Sequence, residues 1–138
     1  MRLAGRVFKE ERYWPTEVPM LGVVTQGRSR KDAFLMIADA VELLVDRADF
    51  RLEVFAGEGE YFEVGANDEA ALTAFLLRRE RMRSGLSLAE VARRLGARSA
   101  NAYARYEQGR SVPTVPKLTA LLAAVGPRKD FVLSESRA

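Results

Sequence analysis

The chain has 138 residues, 48% of them apolar, enough to bury a core in one ordinary domain or two small ones. It contains no cysteine and no histidine, which removes disulfides, thiol nucleophiles, imidazole bases and nearly all transition-metal sites. Charge divides unevenly: residues 1–66 carry nine Lys or Arg against twelve Asp or Glu, and residues 67–138 carry thirteen against seven, so the second half suits a polyanion.

Seven charges fall among the first twenty residues, and no apolar run approaches the ~18 residues that span a bilayer. A cytoplasmic protein is the expectation, without membrane contact and without a cofactor. The absence of cysteine fits a reducing compartment.

Leu3 to Lys9, Tyr13 to Val18 and Leu21 to Thr25 read as short strands, separated by the charged Glu10-Glu11-Arg12 turn and by Pro19-Met20. Pro15 marks the second run as an edge or irregular strand, because proline cannot donate to a ladder. Gly27 closes the third run, and Ser29-Arg-Lys-Asp32 forms a capping box ahead of a helix. Phe34, Ile37, Ala38, Val41, Leu44, Val45 and Ala48 make its apolar stripe, with Asp39, Glu42 and Asp46 on the other side. Strands are expected again over Arg51 to Phe55 and Tyr61 to Val64, around the turn Ala56-Gly-Glu-Gly59. The fold class is α+β, with a β-β-β-α-β sheet-and-helix layer first.

Gly65-Ala66-Asn67 is the expected boundary, which gives domains 1–66 and 67–138. Asn67 or Asp68 should cap a helix running to about Arg83, with Leu72, Phe75, Leu76, the stem of Arg79 and Met82 on one face. Ser87 then caps a short helix bearing Leu88, Val91, Ala92 and Leu95, and Gly96 ends it. Ser99 is the expected cap of the next helix, whose Tyr103 and Tyr106 point inward while Asn101 and Arg105, one turn apart, point outward. A last helix, Val115 to Val125, starts after Pro113 and stops at Gly126-Pro127, completing an all-α bundle.

Residues 87–113 resemble the helix-turn-helix domain of the lambda-repressor-like (XRE-type) family, in which the second helix of the pair enters the major groove. Ser87, Ala92, Leu95, Gly96, Ser99, Tyr106, Glu107 and Gly109 carry the resemblance. The turn before Ser99 is one residue longer than the usual spacing, and Leu88 stands where relatives often place a polar residue that braces a phosphate. On that resemblance the DNA-binding residues are Arg98, Ser99, Ala100, Asn101, Arg105 and Arg110. The Asn101 amide matches adenine, the Arg105 fork matches guanine O6 and N7, and Ala100 suits a thymine methyl. Arg98, Arg110 and the Ser99 amide are positioned for phosphates. The resemblance also implies a structural ion pair between Arg81 and Glu107.

The first half is similar to the HicB antitoxin domain. The residues that carry this are Gly5-Arg-Val-Phe-Lys-Glu10, Trp14-Pro-Thr-Glu-Val-Pro-Met-Leu-Gly-Val-Val-Thr-Gln-Gly27, Ser29-Arg-Lys-Asp-Ala-Phe34 and Ala40-Val-Glu-Leu-Leu44. The resemblance implies a partial RNase H-like sheet that neutralises a HicA-like mRNA-cleaving toxin, beside a helix-turn-helix that represses the operon. The implied partners are that toxin protein and double-stranded operator DNA, and a homodimer or higher even homo-oligomer matches a two-fold operator. The alternative is a stand-alone regulator with an N-terminal sensing or oligomerisation domain. An active nuclease would need paired carboxylates and Mg²⁺, and the spacing of Glu10, Glu11, Glu17, Asp39, Glu42 and Glu53 singles out no such pair, so no enzymatic role is expected.

Overall fold

The computed structural model describes all 138 residues, which form two compact units. The first comprises Met1–Glu69 together with Glu135–Ala138, and the second Ala70–Ser134. The division thus falls three residues past the expected boundary. Residues 135–138, expected in the second domain, belong to the first.

The first unit is a five-stranded antiparallel sheet and one helix. Strands β1 (Leu3–Val7), β2 (Trp14–Val18), β3 (Val23–Gly27), β4 (Leu52–Ala56) and β5 (Tyr61–Ala66) lie in the order β3-β2-β1-β5-β4. The expected β-β-β-α-β unit is therefore β-β-β-α-β-β, with the last strand inserted between β1 and β4. That placement follows from side-chain alternation: Leu3, Gly5 and Val7 face the core, and Val64 and Phe62 of β5 sit opposite Leu3 and Gly5 to extend the same apolar face. β2 is an interior strand despite Pro15. The Pro15 carbonyl accepts from Phe8 N–H on the β1 side, where a missing donor on the same residue leaves the β3 ladder intact.

The third strand begins later than expected because Pro19–Leu21 form a single 3-10 turn, and Gly22 at φ 61° redirects the chain into β3. At the other end of β3, a Cβ on Gly27 would lie 2.2 Å from the backbone nitrogen of Ala33, so only glycine lets helix α1 (Arg30–Val45) start this close to the strand. Ser29 Oγ accepts the Asp32 N–H at 3.0 Å, and the Asp32 carboxylate accepts the Arg28 N–H at 2.8 Å, a box displaced by one residue from the usual pattern.

The buried face of α1 is Ala33, Ile37 and Val41, with Phe34 against the Phe62 ring at 5.1 Å. Leu44 and Ala48, expected in the stripe, are exposed: Leu44 lies inside the helix but off its buried face, and Asp46 turns left-handed at φ 55° and stops the helix before Ala48. Phe50 fills the core from the following loop, where no periodicity announces it. Asn67 does not cap the next helix: its side chain accepts the Arg51 N–H at 2.8 Å and donates to the Asp49 carbonyl at 2.7 Å.

The second unit holds α2 (Glu69–Arg83), α3 (Leu88–Arg94), α4 (Asn101–Glu107) and α5 (Val115–Val125). Leu77, Val91, Ala92, Tyr103, Tyr106, Leu121, Ala124 and Val125 form its core, each large side chain contributing about 1.5–3 kcal/mol by leaving water. α2 is buried on more than one face, with residues 71–77 all buried, whereas Met82, expected inside, is exposed. Thr114 Oγ1 caps α5 through the Lys117 N–H at 3.2 Å. No helix is long and apolar enough to cross a membrane.

Candidate nucleic-acid interface

Two short helices, α3 and α4, joined by a glycine turn lie in the second unit. Ser87 Oγ accepts the Glu90 N–H at 3.1 Å to start α3. At its end, Gly96 lies at φ 72°, where the Gly96 N–H meets the Arg93 carbonyl and the Ala97 N–H meets the Ala92 carbonyl, both at 2.9 Å. This pair of bonds is a Schellman motif, and its left-handed residue is why glycine stands at 96. Leu88, Leu95 and Ala97 pack on the core from either side of the turn. Leu88 is thus an apolar brace of the turn.

α4 begins at Asn101, preceded by Ala100 in a helical conformation, and no side chain caps it. Ser99, expected as the cap, contributes its backbone carbonyl to the Ala102 N–H at 3.2 Å. Ala100 already has helical dihedrals, and the first bond spans three residues rather than four, so Ser99 meets the first turn through its main chain. α4 then ends as α3 does, with Gly109 at φ 68° and the Arg110 N–H on the Arg105 carbonyl at 3.0 Å.

Burial divides α4 into two faces. Tyr103, Ala104 and Tyr106 are buried, and Asn101, Ala102, Arg105 and Gln108 are exposed together on the opposite side. The Arg105 guanidinium lies 5.2 Å from the Tyr106 ring and Lys117 Nζ 5.8 Å from it, so two cations flank the base of this face. Arg98 and Arg110 are exposed before and after the helix, and Ala100 is half-buried. Arg93, Arg98, Ser99 and Ala100 line a shallow hollow with Ala89, Ala92 and Ala97.

Beneath that surface, Arg81 of α2 donates from Nε to both oxygens of Glu107 at 2.9 and 3.0 Å, and its Nη1 donates to the Leu86 carbonyl at 2.9 Å. Tyr103, fully buried, has its hydroxyl pKa pushed up by burial and then by the Glu107 charge. Glu80, also buried, pairs with Arg83 and, at 3.1 Å, with Lys129. Lys129 is lowered by burial and by the neighbouring Arg83.

Residues 74–127 match a family profile described as a helix-turn-helix domain. This segment is a helix-turn-helix domain. A sequence comparison with curated proteins finds no match. In the helix-turn-helix, α3 and α4 are the paired helices, and α4 is the one whose polar side chains stand free of the core. Sequence periodicity singles out Asn101 and Arg105 but passes over Ala102, Gln108, Arg93 and Lys117. The first two lie on the exposed face of α4 beside Asn101 and Arg105. The two cations come from neighbouring helices, so no spacing within α4 could reveal them.

Proposed function

We propose that this chain is a HicB-like antitoxin: its helix-turn-helix binds the operator of its own operon and its sheet unit neutralises a small HicA-like ribonuclease toxin, with no catalysis of its own. The observation that carries the reading is the corner from Val18 to Asp32. There the Pro-Met-Leu turn, Gly22, Gly27 and the Ser29 cap each have a geometric task, in the stretch on which the resemblance to HicB rests. The partial RNase H-like reading of the sheet belongs to the same proposal.

The exposed side of α1 supports a protein partner. Leu35, Met36, Leu43 and Leu44 are exposed there beside the exposed Asp39, an apolar contact area with negative charge that complements a basic RNA-binding toxin. The same apolar positions suit self-association, which favours a stand-alone dimeric regulator as the second reading. In either case two copies on a two-fold operator supply the specificity that one short recognition helix lacks.

Co-expression with the product of the adjacent reading frame separates the two. The antitoxin reading expects the chain to restore growth and to co-purify with that product, and expects the complex to shift DNA from the upstream promoter. A chain that shifts the promoter DNA but neither rescues growth nor co-purifies with the neighbour is a regulator and not an antitoxin.

A further inference from the structure

The chain leaves the sheet unit at Glu69 and returns to it at Glu135. The place of return is the sheet face that carries Arg2, Tyr61 and Glu63, alternating with the core-facing Leu3, Phe62 and Val64. Such a face is normally wetted, yet Glu63 is only 3% exposed. Four donors account for its carboxylate. Tyr61 Oη donates to Oε1 at 2.7 Å and Arg2 Nη1 to Oε2 at 3.4 Å, both from the sheet. The other two come from the returning segment: Ser136 Oγ donates to Oε2 at 2.7 Å and the Arg137 backbone N–H to Oε1 at 2.9 Å.

A hydroxyl and the next residue's N–H therefore hold the two oxygens of one carboxylate. Around this clasp the Arg137 guanidinium stacks 4.1 Å from the Tyr61 ring, Arg2 lies 3.4 Å from the Phe55 ring, and Arg2 also donates to Ser136 Oγ at 3.2 Å. The contacts select a backbone segment with Ser or Thr followed by Arg. We propose that the Glu63 face is a peptide seat, and that residues 135–138 are a releasable strap filling it in cis. Nothing apolar on the strap is buried, since all four of its residues are exposed, so the hold is polar and water competes for every part of it. The low carboxyl pKa of Glu63, held at about 2 by Tyr61, then Ser136 and the Arg137 N–H, agrees with this set of donors.

The test uses the full chain, the chain ending at Ser134, and the variants Ser136→Glu and Arg137→Ala, each checked for an unchanged circular dichroism spectrum. Carbon-13 NMR of the Glu63 carboxyl should report a titration shifted to low pH in the full chain. It should move toward the ordinary carboxylate range in the truncated chain and in Ser136→Glu, where a second carboxylate meets the first. A synthetic peptide of residues 134–138 should bind the truncated chain and restore the low titration. It should bind the full chain about tenfold or more weakly, because a tethered strap acts at an effective concentration on the order of millimolar. Glu63→Gln should abolish peptide binding. The proposal is overturned if Glu63 titrates alike with and without residues 135–138, or if the peptide binds both chains equally or neither.

Discussion

Arg81 of α2 and Glu107 of α4 join two helices of the helical unit, with the Arg81 Nε–H shared between both Glu107 oxygens and Nη1 on the Leu86 carbonyl. Glu107 is 6% exposed and Arg81 17%, so the pair is largely out of water and its geometry is satisfied on both sides. Removing one member leaves the other charge buried. Glu107→Ala is expected to destabilise the helical unit by about 3–5 kcal/mol, whereas Arg81→Met with Glu107→Leu, which removes both charges, should cost far less. Urea unfolding followed by circular dichroism measures both, and equal losses for the single and double variants would remove the ion pair from the account.

Tyr103 lies in the same core, its hydroxyl near the Glu107 carboxylate but without a hydrogen bond of good geometry. An unpaired buried hydroxyl carries a desolvation penalty, so Tyr103→Phe should keep or raise stability, by up to about 1–2 kcal/mol, while Tyr103→Ala should lose about 3–5 kcal/mol to the cavity. Thermal melts of the two variants give the answer. A clear loss in Tyr103→Phe would mean that the hydroxyl is satisfied.

The helical half was more legible in the sequence than the sheet half, for physical reasons. Helix ends are local: Ser87, Thr114, Gly96 and Gly109 act within a few residues of their own position, so their pattern can be read in one dimension. Even there Ser99 misled, since it meets the first turn of α4 through its carbonyl and not its hydroxyl. In the sheet, the placement of β5 beside β1 depends on pairing across more than fifty residues, which no window contains. The interior place of β2 depends on which neighbour Pro15 fails to serve, again a property of the partner strands. The carboxylate–strap contact lies further still beyond sequence pattern, since Glu63 and Ser136 are brought together only by the folded chain.

On the exposed face of α4, Asn101 and Arg105 present the donor and acceptor sets that suit adenine and guanine edges. Replacing either with Ala should cost about 1–3 kcal/mol on the preferred site and relax preference at one base pair. Gln108, on the same face, should behave likewise if α4 lies lengthwise in the groove. Competition binding against single-base variants of the site reads this out, and an unaltered preference in Asn101→Ala/Arg105→Ala would place base reading elsewhere.

Arg110 and Lys117 carry charge beside that face without lying on it. Phosphate contacts add affinity independently of sequence, so Arg110→Ala or Lys117→Ala should weaken preferred and random DNA to a similar degree, each lowering the salt slope by about one. Titrations at several salt concentrations separate this from base reading. A loss confined to the preferred site would reassign the residue to sequence recognition.

The Glu63 clasp sets a pH window for the sheet unit. The folded carboxyl titrates near 2, below the about 4.3 of an unstructured glutamate. A depressed folded value means that the ionised group stabilises the fold above the unfolded value, and that this contribution fades as pH falls from about 4.5 toward 2. Arg2, Tyr61 and Arg137 surround the Glu63 carboxylate, and the strap brings Glu135 and Ala138 beside it, so the Glu63→Gln variant isolates the contribution of Glu63. Protonation leaves the Ser136 hydroxyl and Arg137 N–H facing a neutral acid, and their bonds weaken. Hydrogen exchange at the Arg137 amide should therefore gain protection between pH 2 and pH 5, once the intrinsic pH dependence of exchange is removed, and Glu63→Gln should show no such gain. Protection that is flat with pH in the full chain, or a gain that survives in Glu63→Gln, would show that another group controls the strap.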